Sequence, residues 1–167
     1  PLIGIEPSAI LTFRDEYIRL ADDKESAKKL AKNVFTIEEF FKKEITSGKI
    51  HSEQFSDIAK TIKIHGHCHQ KSLSTIEATF AMLNVPKNSV VTIYNSGCCG
   101  MAGSFGYEKE HYDISMQMGE DTLFPKIRAT DATTAIAAAG TSCRHQIFDG
   151  TNRKAMHPVS ILKDCLK

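Results

Sequence analysis

The chain has 167 residues and a mass of 18.5 kDa, 41% of the residues are hydrophobic, and this is long enough for one domain with a real core. A formal net charge of +1 and a pI near 8.1 leave no electrostatic signature for nucleic acid or an anionic membrane. No apolar run reaches the roughly eighteen residues a spanning helix needs, and Pro1-Leu-Ile-Gly-Ile5 is neither basic nor long enough for a secretion signal.

The chain starts without methionine and directly in a strand-like run, which reads as a piece of a longer or trimmed protein. Five cysteines beside seven histidines, with no secretion signal, argue against a disulfide framework. In a reducing compartment such residues serve as metal ligands, catalytic groups or core filler.

In chain order, residues 2–6 read as a short buried strand, and Pro7-Ser8 opens a helix that carries Ile10, Leu11, Phe13, Tyr17, Ile18 and Leu20 at helical spacing. Residues 22–32 are charge-rich and helical by propensity. A further helix is expected over 36–46, with Ile37, Phe40, Phe41 and Ile45 on one face and a capping box formed by Thr36 and Glu39. Gly48 ends it, and 47–56 reads as an exposed polar connection. Then a strand over 61–65, a loop at 66–70 and a helix to about Leu83 are followed by a turn at 86–88. The strand over 90–94 runs into Asn95-Ser-Gly-Cys-Cys-Gly-Met-Ala-Gly-Ser-Phe-Gly106, and a helix is expected from Tyr107 to Phe124. Residues 133–139 suit helix or buried strand; strand is preferred because Gly140-Thr-Ser-Cys143 follows as the other loops follow their strands. A last short strand over 155–157 leads to a helix from Pro158 through Leu162. Strands alternating with helices imply an α/β fold, a Rossmann-like and mainly parallel sheet with helices on both faces. Ligands then sit beyond the carboxyl ends of the strands.

That rule makes the cysteines informative. Cys68, Cys98, Cys99 and Cys143 each fall just after an expected strand, so they can converge at the carboxyl edge although 29 residues separate the first two and 43 the last two. Each loop also feeds a helix N-terminus, whose free N–H groups stabilise thiolates. The adjacent Cys98 and Cys99 cannot easily pair, because disulfide geometry wants their Cα atoms farther apart. Gly97, Gly100 and Gly103 let the backbone turn and approach a bound group. Four thiolates around one point suit an iron–sulfur cluster or a zinc ion. The bland alternative is a set of small buried hydrophobes, and a third is thiol–disulfide chemistry at Cys98-Cys99. Cys165, on the terminal helix, reads as packing.

The residues His67-Cys68-His69, Cys98-Cys99-Gly100-Met-Ala-Gly-Ser-Phe-Gly106, Cys143-Arg-His-Gln-Ile147 and His157-Pro158 resemble the cysteine-rich CCG domain. That domain occurs in heterodisulfide reductase, in anaerobic glycerol-3-phosphate dehydrogenase and in the iron–sulfur subunits of glycolate oxidase. The likeness is strongest to the FAD-linked glycolate oxidase or D-lactate dehydrogenase type. It implies that 50–167 is one complete repeat and 1–49 the tail end of a preceding one, packed as one domain. It also implies an iron–sulfur electron-transfer role in a 2-hydroxy acid oxidoreductase, with Cys68, Cys98, Cys99 and Cys143 on a [4Fe–4S] cluster and Gly97, Gly100 and Gly103 lining the cofactor. FAD would sit in a flavin domain, which with a ferredoxin-like segment forms the partner surface within the same longer protein. No G-x-G-x-x-G opens a βαβ unit here, so this chain alone is not expected to turn over substrate. A cytoplasmic location, with peripheral contact at the inner face of the membrane, and pairing of two copies through a truncated surface are the accompanying expectations. Two departures stand out: Gln146 occupies the position where the pattern often closes Cys-x-x-Cys, and Ala9 stands where a Pro-Ser stretch often ends in cysteine. They argue for one four-thiol cluster rather than a five-cysteine or a second one.

The alternative is a zinc-binding or metal-free interaction domain with structural thiols. His65, His67 and His69 alternate, and with Cys68 they could supply mixed ligation, with His67, His69 and His145 as secondary metal candidates. His51 and His111 look like surface residues, and His157 a distant support of the site. Glu6, after the first strand, reads as a helix-start carboxylate before an acid–base group.

Overall fold

The structure is a computed structural model and describes all residues from Pro1 to Lys167. The N-terminal stretch builds a small layer. Strand β1 (Leu2–Gly4) pairs in parallel with β2 (Val34–Thr36), Leu2 opposite Val34 and Gly4 opposite Thr36. Between them run α1 (Pro7–Ile10), a 3-10 turn over Leu11–Arg14, α2 (Glu16–Leu20) and α3 (Lys24–Ala31). Pro7 sits at the start of α1, where its missing N–H would have had no partner. Helix α4 (Ile37–Thr46) opens on the expected capping box: Glu39 N–H donates to Thr36 Oγ1 at 3.3 Å and Thr36 N–H donates to Glu39 Oε2 at 2.9 Å. Strand β1 stops short of residue 6, and β2 was not expected. Three residues between two helical patterns are too few for alternation to show.

Strands β3 (Lys60–His65), β4 (Ser89–Ile93), β5 (Ala135–Ala138) and β6 (Ala155–Met156) form a parallel sheet in the order β4-β3-β5-β6. The crossovers are α5 (Cys68–Leu73) with α6 (Glu77–Leu83), then α7 (Tyr112–Arg128), then α8 (Thr141–Thr151); α9 (Pro158–Lys163) follows β6. The fold class is therefore the one expected, and the ambiguous 133–139 segment is strand. From β3 the chain goes first to β4 on one side and then to β5 on the other. The order reverses between β3 and β5, and a crevice opens there at the carboxyl ends.

Alternation along the strands divides the core. Ile62, Ile64, Val91 and Ala137 pack with Met82 and Leu83 of α6 and with Ile161 and Leu162 of α9. On the opposite face Tyr94, Ile136 and Ala138 pack with Leu123, Phe124 and Ile127 of α7 and with Cys143 and Ile147 of α8. Burying an Ile or Leu of this kind contributes about 1.5–3 kcal/mol. The 47–56 connection is not simply exposed: Phe55 is buried and bridges Leu166. The helix after the cysteine loop starts at Tyr112 rather than Tyr107, because Phe105–Tyr107 tightens into a 3-10 turn first.

The N-terminal layer is tied down by polar contacts. The Arg14 guanidinium forks onto Glu39 at 2.9 and 2.5 Å and also donates to Val34 O and Leu73 O. Ser74 Oγ donates to Glu39 Oε1 at 2.6 Å. The ring nitrogen Nε2 of His157 meets Ile5 O at 2.9 Å. No helix is long and apolar enough to cross a membrane.

Candidate metal centre

Three strand ends deliver the thiols. After β3 the backbone stays extended through His67, and Cys68 becomes the first residue of α5. After β4 comes the glycine loop with Cys98 and Cys99. After β5, Gly140 is the N-cap of α8 and Cys143 is its third residue. Cys68 Sγ lies 3.7 Å from Cys98 Sγ, and Cys99 Sγ lies 3.5 Å from Cys143 Sγ. All five cysteines, Cys165 included, are free thiols. The four beyond the sheet edge flank a cleft of about 410 Å³ whose walls also include Ser8, His67, His69, Ala102, Gly103 and Ser142. Cys99 and Cys143 are buried, Cys98 is half-buried and Cys68 is exposed.

The loop's conformation is held from outside. Gly100 has φ +94°, and a Cβ there would stand 2.0 Å from Ser115 O, so only glycine fits. Its N–H donates to Cys98 Sγ at 3.3 Å. Ser115 Oγ donates to Gly100 O at 2.9 Å, and Gln146 Nε2 donates to Ser115 Oγ at 2.8 Å. Gln146 thus ends a buried relay that braces the turn. Lys71 donates to Ser96 O at 3.0 Å, and Lys126 donates to Asn95 O. Of the three glycines expected to line a cofactor, Gly103 lines the cleft with φ +71°. Gly97 instead donates to Thr122 Oγ1 at 2.9 Å, and Gly100 faces α7. Ala9 is an exposed residue of α1 and does not line the cleft, whereas Ser8 does.

Each sulfur pair shares a proton unevenly. The hydrogen bond from Cys68 holds the Cys98 thiol well below its usual value, and the same bond, with burial, pushes Cys68 up. In the inner pair the hydrogen bond from Cys99 holds Cys143 down, while Cys99 is pushed up by that bond, by Cys98 and by burial. The early position of Cys143 in α8 adds the favourable end of a helix dipole.

The histidines divide sharply. His65 is 1% exposed, its Nδ1 lies 3.1 Å from Ser96 Oγ, and its Nε2 is buried with no hydrogen-bond partner. A ring nitrogen of His65 and the sulfurs of Cys99 and Cys143 lie within 4.8 Å of one another. His67 Nδ1 accepts from His69 N–H at 3.2 Å to cap α5, and the two rings stack at 5.4 Å. Burial pushes the pKa of His67, on the cleft wall, down. The exposed ring of His145 bonds Tyr107 Oη at 2.7 Å and does not line the cleft. Among the expected candidates, His67 and His69 reach the cleft and His145 does not; His65 was not put forward as the foremost nitrogen. A signal existed: Ile62 and Ile64 face the α6–α9 side, so alternation turns His65 toward α8.

Two further residues support the site. Glu6 accepts from Thr141 N–H at 2.8 Å, from Thr141 Oγ1 at 2.9 Å and from Ser8 Oγ at 2.9 Å. Burial works to raise its pKa, but the bonds from Thr141 and Ser8 outweigh it and hold the carboxylate low. Its helix-start role falls on α8, the helix that carries Cys143. Glu38 is fully buried, 3.7 Å from His157 Nε2, with neither carboxylate oxygen hydrogen-bonded. Burial pushes the Glu38 pKa up and the His157 pKa down, which weakens any ion pair between them. Cys165 is buried and donates to Ile161 O at 3.3 Å, as a packing residue does.

The donor set fits a metal centre. Four sulfurs line one cleft, the Gly100 N–H is directed at one of them, and behind the lining a ring nitrogen of His65 lies within 4.8 Å of the sulfurs of Cys99 and Cys143. Sulfur separations of 3.5 and 3.7 Å approach the roughly 3.8 Å edge of a tetrahedron with metal–sulfur bonds of about 2.3 Å. Fold and site together define an α/β domain whose cysteine-rich edge has the donors to bind metal.

Three known proteins are similar to the chain. Over its whole length the chain is 30% identical to D-2-hydroxyglutarate dehydrogenase of Haemophilus influenzae and 26% identical to that of Escherichia coli, covering 16% of each. Over 99% of its length it is 25% identical to one subunit of the anaerobic glycerol-3-phosphate dehydrogenase of Escherichia coli, covering 40% of that subunit. The chain thus spans less than half the length of these relatives. No family model and no solved structure matches it.

Proposed function

We propose that this chain is the iron–sulfur electron-transfer part of a larger dehydrogenase of 2-hydroxy acids. The observation that carries the proposal is the convergence of Cys68, Cys98, Cys99 and Cys143 from three strand ends into one cleft. The dehydrogenase names of the relatives, and the small share of each that the chain spans, support it. A [4Fe–4S] cluster held there would accept and pass on single electrons. The four thiolates would bind it, and the Gly100 N–H would withdraw charge from the Cys98 sulfur, which raises a potential. Packing under α7 and α8 would keep water from Cys99 and Cys143. Exposed Cys68 marks the side open to an electron donor or acceptor.

For the whole protein, D-2-hydroxyglutarate becomes the first substrate to test, ahead of glycolate and D-lactate, because of the relatives' names. Electrons would come from FAD in a flavin domain through a ferredoxin-like segment, with peripheral contact at the inner membrane face. Residues 1–49 would end a preceding repeat and 50–167 form the complete one.

A second reading is a single zinc ion on the same donors, favoured by sulfur separations that already match a tetrahedral edge. Anaerobic reconstitution with iron and sulfide separates the two. The expected result is broad sulfur-to-iron charge-transfer absorption with acid-labile sulfide, lost in Cys99→Ala. Zinc at one per chain in freshly purified protein, with no uptake of iron, would favour the second reading.

A further inference from the structure

We infer that His65 is a ligand of the metal centre, its Nε2 joining Cys99 and Cys143 as a buried nitrogen–sulfur–sulfur donor set. The inference rests on the reading that these thiols hold a metal.

Four observations carry it. His65 is 1% exposed, and Nε2 has no hydrogen-bond partner. The ring does help to hold the Cys143 pKa down, so its only call is on that sulfur, and a metal between nitrogen and sulfur would satisfy both. Its other nitrogen is engaged, with Nδ1 3.1 Å from Ser96 Oγ, an arrangement that fixes the ring and leaves Nε2 as the free donor. Finally, a ring nitrogen and the two inner sulfurs already lie within 4.8 Å of one another.

The backbone explains why the ring cannot turn elsewhere. His65 is the last residue of β3 and pairs with Ala138, the last of β5. Both sit at the point where strand order reverses, and alternation sends the imidazole toward α8. The Cys68 thiol, by contrast, is exposed and can be satisfied by water. His65, Cys99 and Cys143 together supply three buried donors without calling on Cys68. Cys68 becomes the replaceable ligand, and Ser96 becomes a positioning residue for the nitrogen.

The test loads the reduced chain, labelled with ¹⁵N-histidine, with ¹¹³Cd²⁺ alone and records one-bond ¹⁵N–¹¹³Cd coupling by NMR beside thiolate-to-cadmium absorption. The expected result is coupling to one imidazole, that of His65, retained in Cys68→Ala and lost in His65→Gln. Cadmium affinity should fall about tenfold or more in His65→Gln and about tenfold in Ser96→Ala, the scale of losing a group that orients a ligand. Assigning the coupled ring in the wild-type spectrum keeps the test valid if His65→Gln fails to fold. Thiolate absorption with no nitrogen coupling, or coupling to His67 instead, would overturn the inference while leaving the thiol centre standing. No cadmium–thiolate absorption at all would overturn the underlying reading and the inference with it.

Discussion

The thiol row has two unlike halves. Cys99 and Cys143 are 3% and 2% exposed, pack in the core with residues of α7 and α8, and lie within 4.8 Å of a ring nitrogen of His65. Cys68 and Cys98 stand at the mouth of the cleft, Cys68 on the first turn of a six-residue helix. The inner half is part of the hydrophobic core, so its geometry is set by packing before any ligand arrives. The outer half is free to adjust around what is bound. Burial, more than residue type, separates the ligands that define a site from those that complete it.

The largest effect that could break this comparison comes from the brace behind the inner half. Gly100→Ala places a Cβ 2.0 Å from Ser115 O at a φ of +94°, and should cost roughly 3–4 kcal/mol in denaturant-induced unfolding. A loss under about 1 kcal/mol would mean that the turn is soft and the inner half is not preset. Next, metal affinity measured by competition should fall at least about a hundredfold, near 2.7 kcal/mol, in Cys99→Ala and Cys143→Ala. In Cys68→Ala it should fall no more than about tenfold. Equal losses in all three variants would erase the distinction between the halves.

A finer test uses protons. Cys68 and Cys99 hold theirs, with pKa values raised, while Cys98 and Cys143 are held low. Binding through all four thiolates should therefore release protons, chiefly from the two raised groups, so affinity rises with pH. Calorimetry in buffers of different ionisation enthalpy should count fewer released protons in Cys68→Ala. An unchanged count would remove Cys68 from the ligand set. The smallest effect is expected at Glu6, which caps the helix of Cys143. Its lowered pKa contributes stability above the ordinary value of 4.5, and that contribution is lost as pH falls through the lowered value. Glu6→Gln should cost about 0.5–1 kcal/mol at neutral pH and flatten the acid limb of thermal unfolding.

Much of this arrangement was legible in the residues. Strand–loop–cysteine units recur at Cys68, Cys98-Cys99 and Cys143, and the rule for parallel sheets brings such loops to one edge. Less legible was anything that depends on which neighbour fills a space. Strand β2 is three residues long, too short for a periodic signal. The partner of Glu6 is 135 residues away in the chain, and nothing local announces Thr141. Gln146 read as a missing cysteine, whereas its amide braces the Gly100 turn through Ser115. His65 looked like one of three alternating histidines. Only the register of β3 with β5 shows which of them faces the inner thiols.

Native mass spectrometry of the anaerobically reconstituted chain tests the central claim most directly, because it weighs what the thiols hold. The account predicts an added mass of iron plus sulfide for one cluster per chain, absent in Cys99→Ala and retained at least in part in Cys68→Ala. A chain that stays at its apo mass with either iron and sulfide or zinc supplied, all five thiols still open to alkylation, would contradict it.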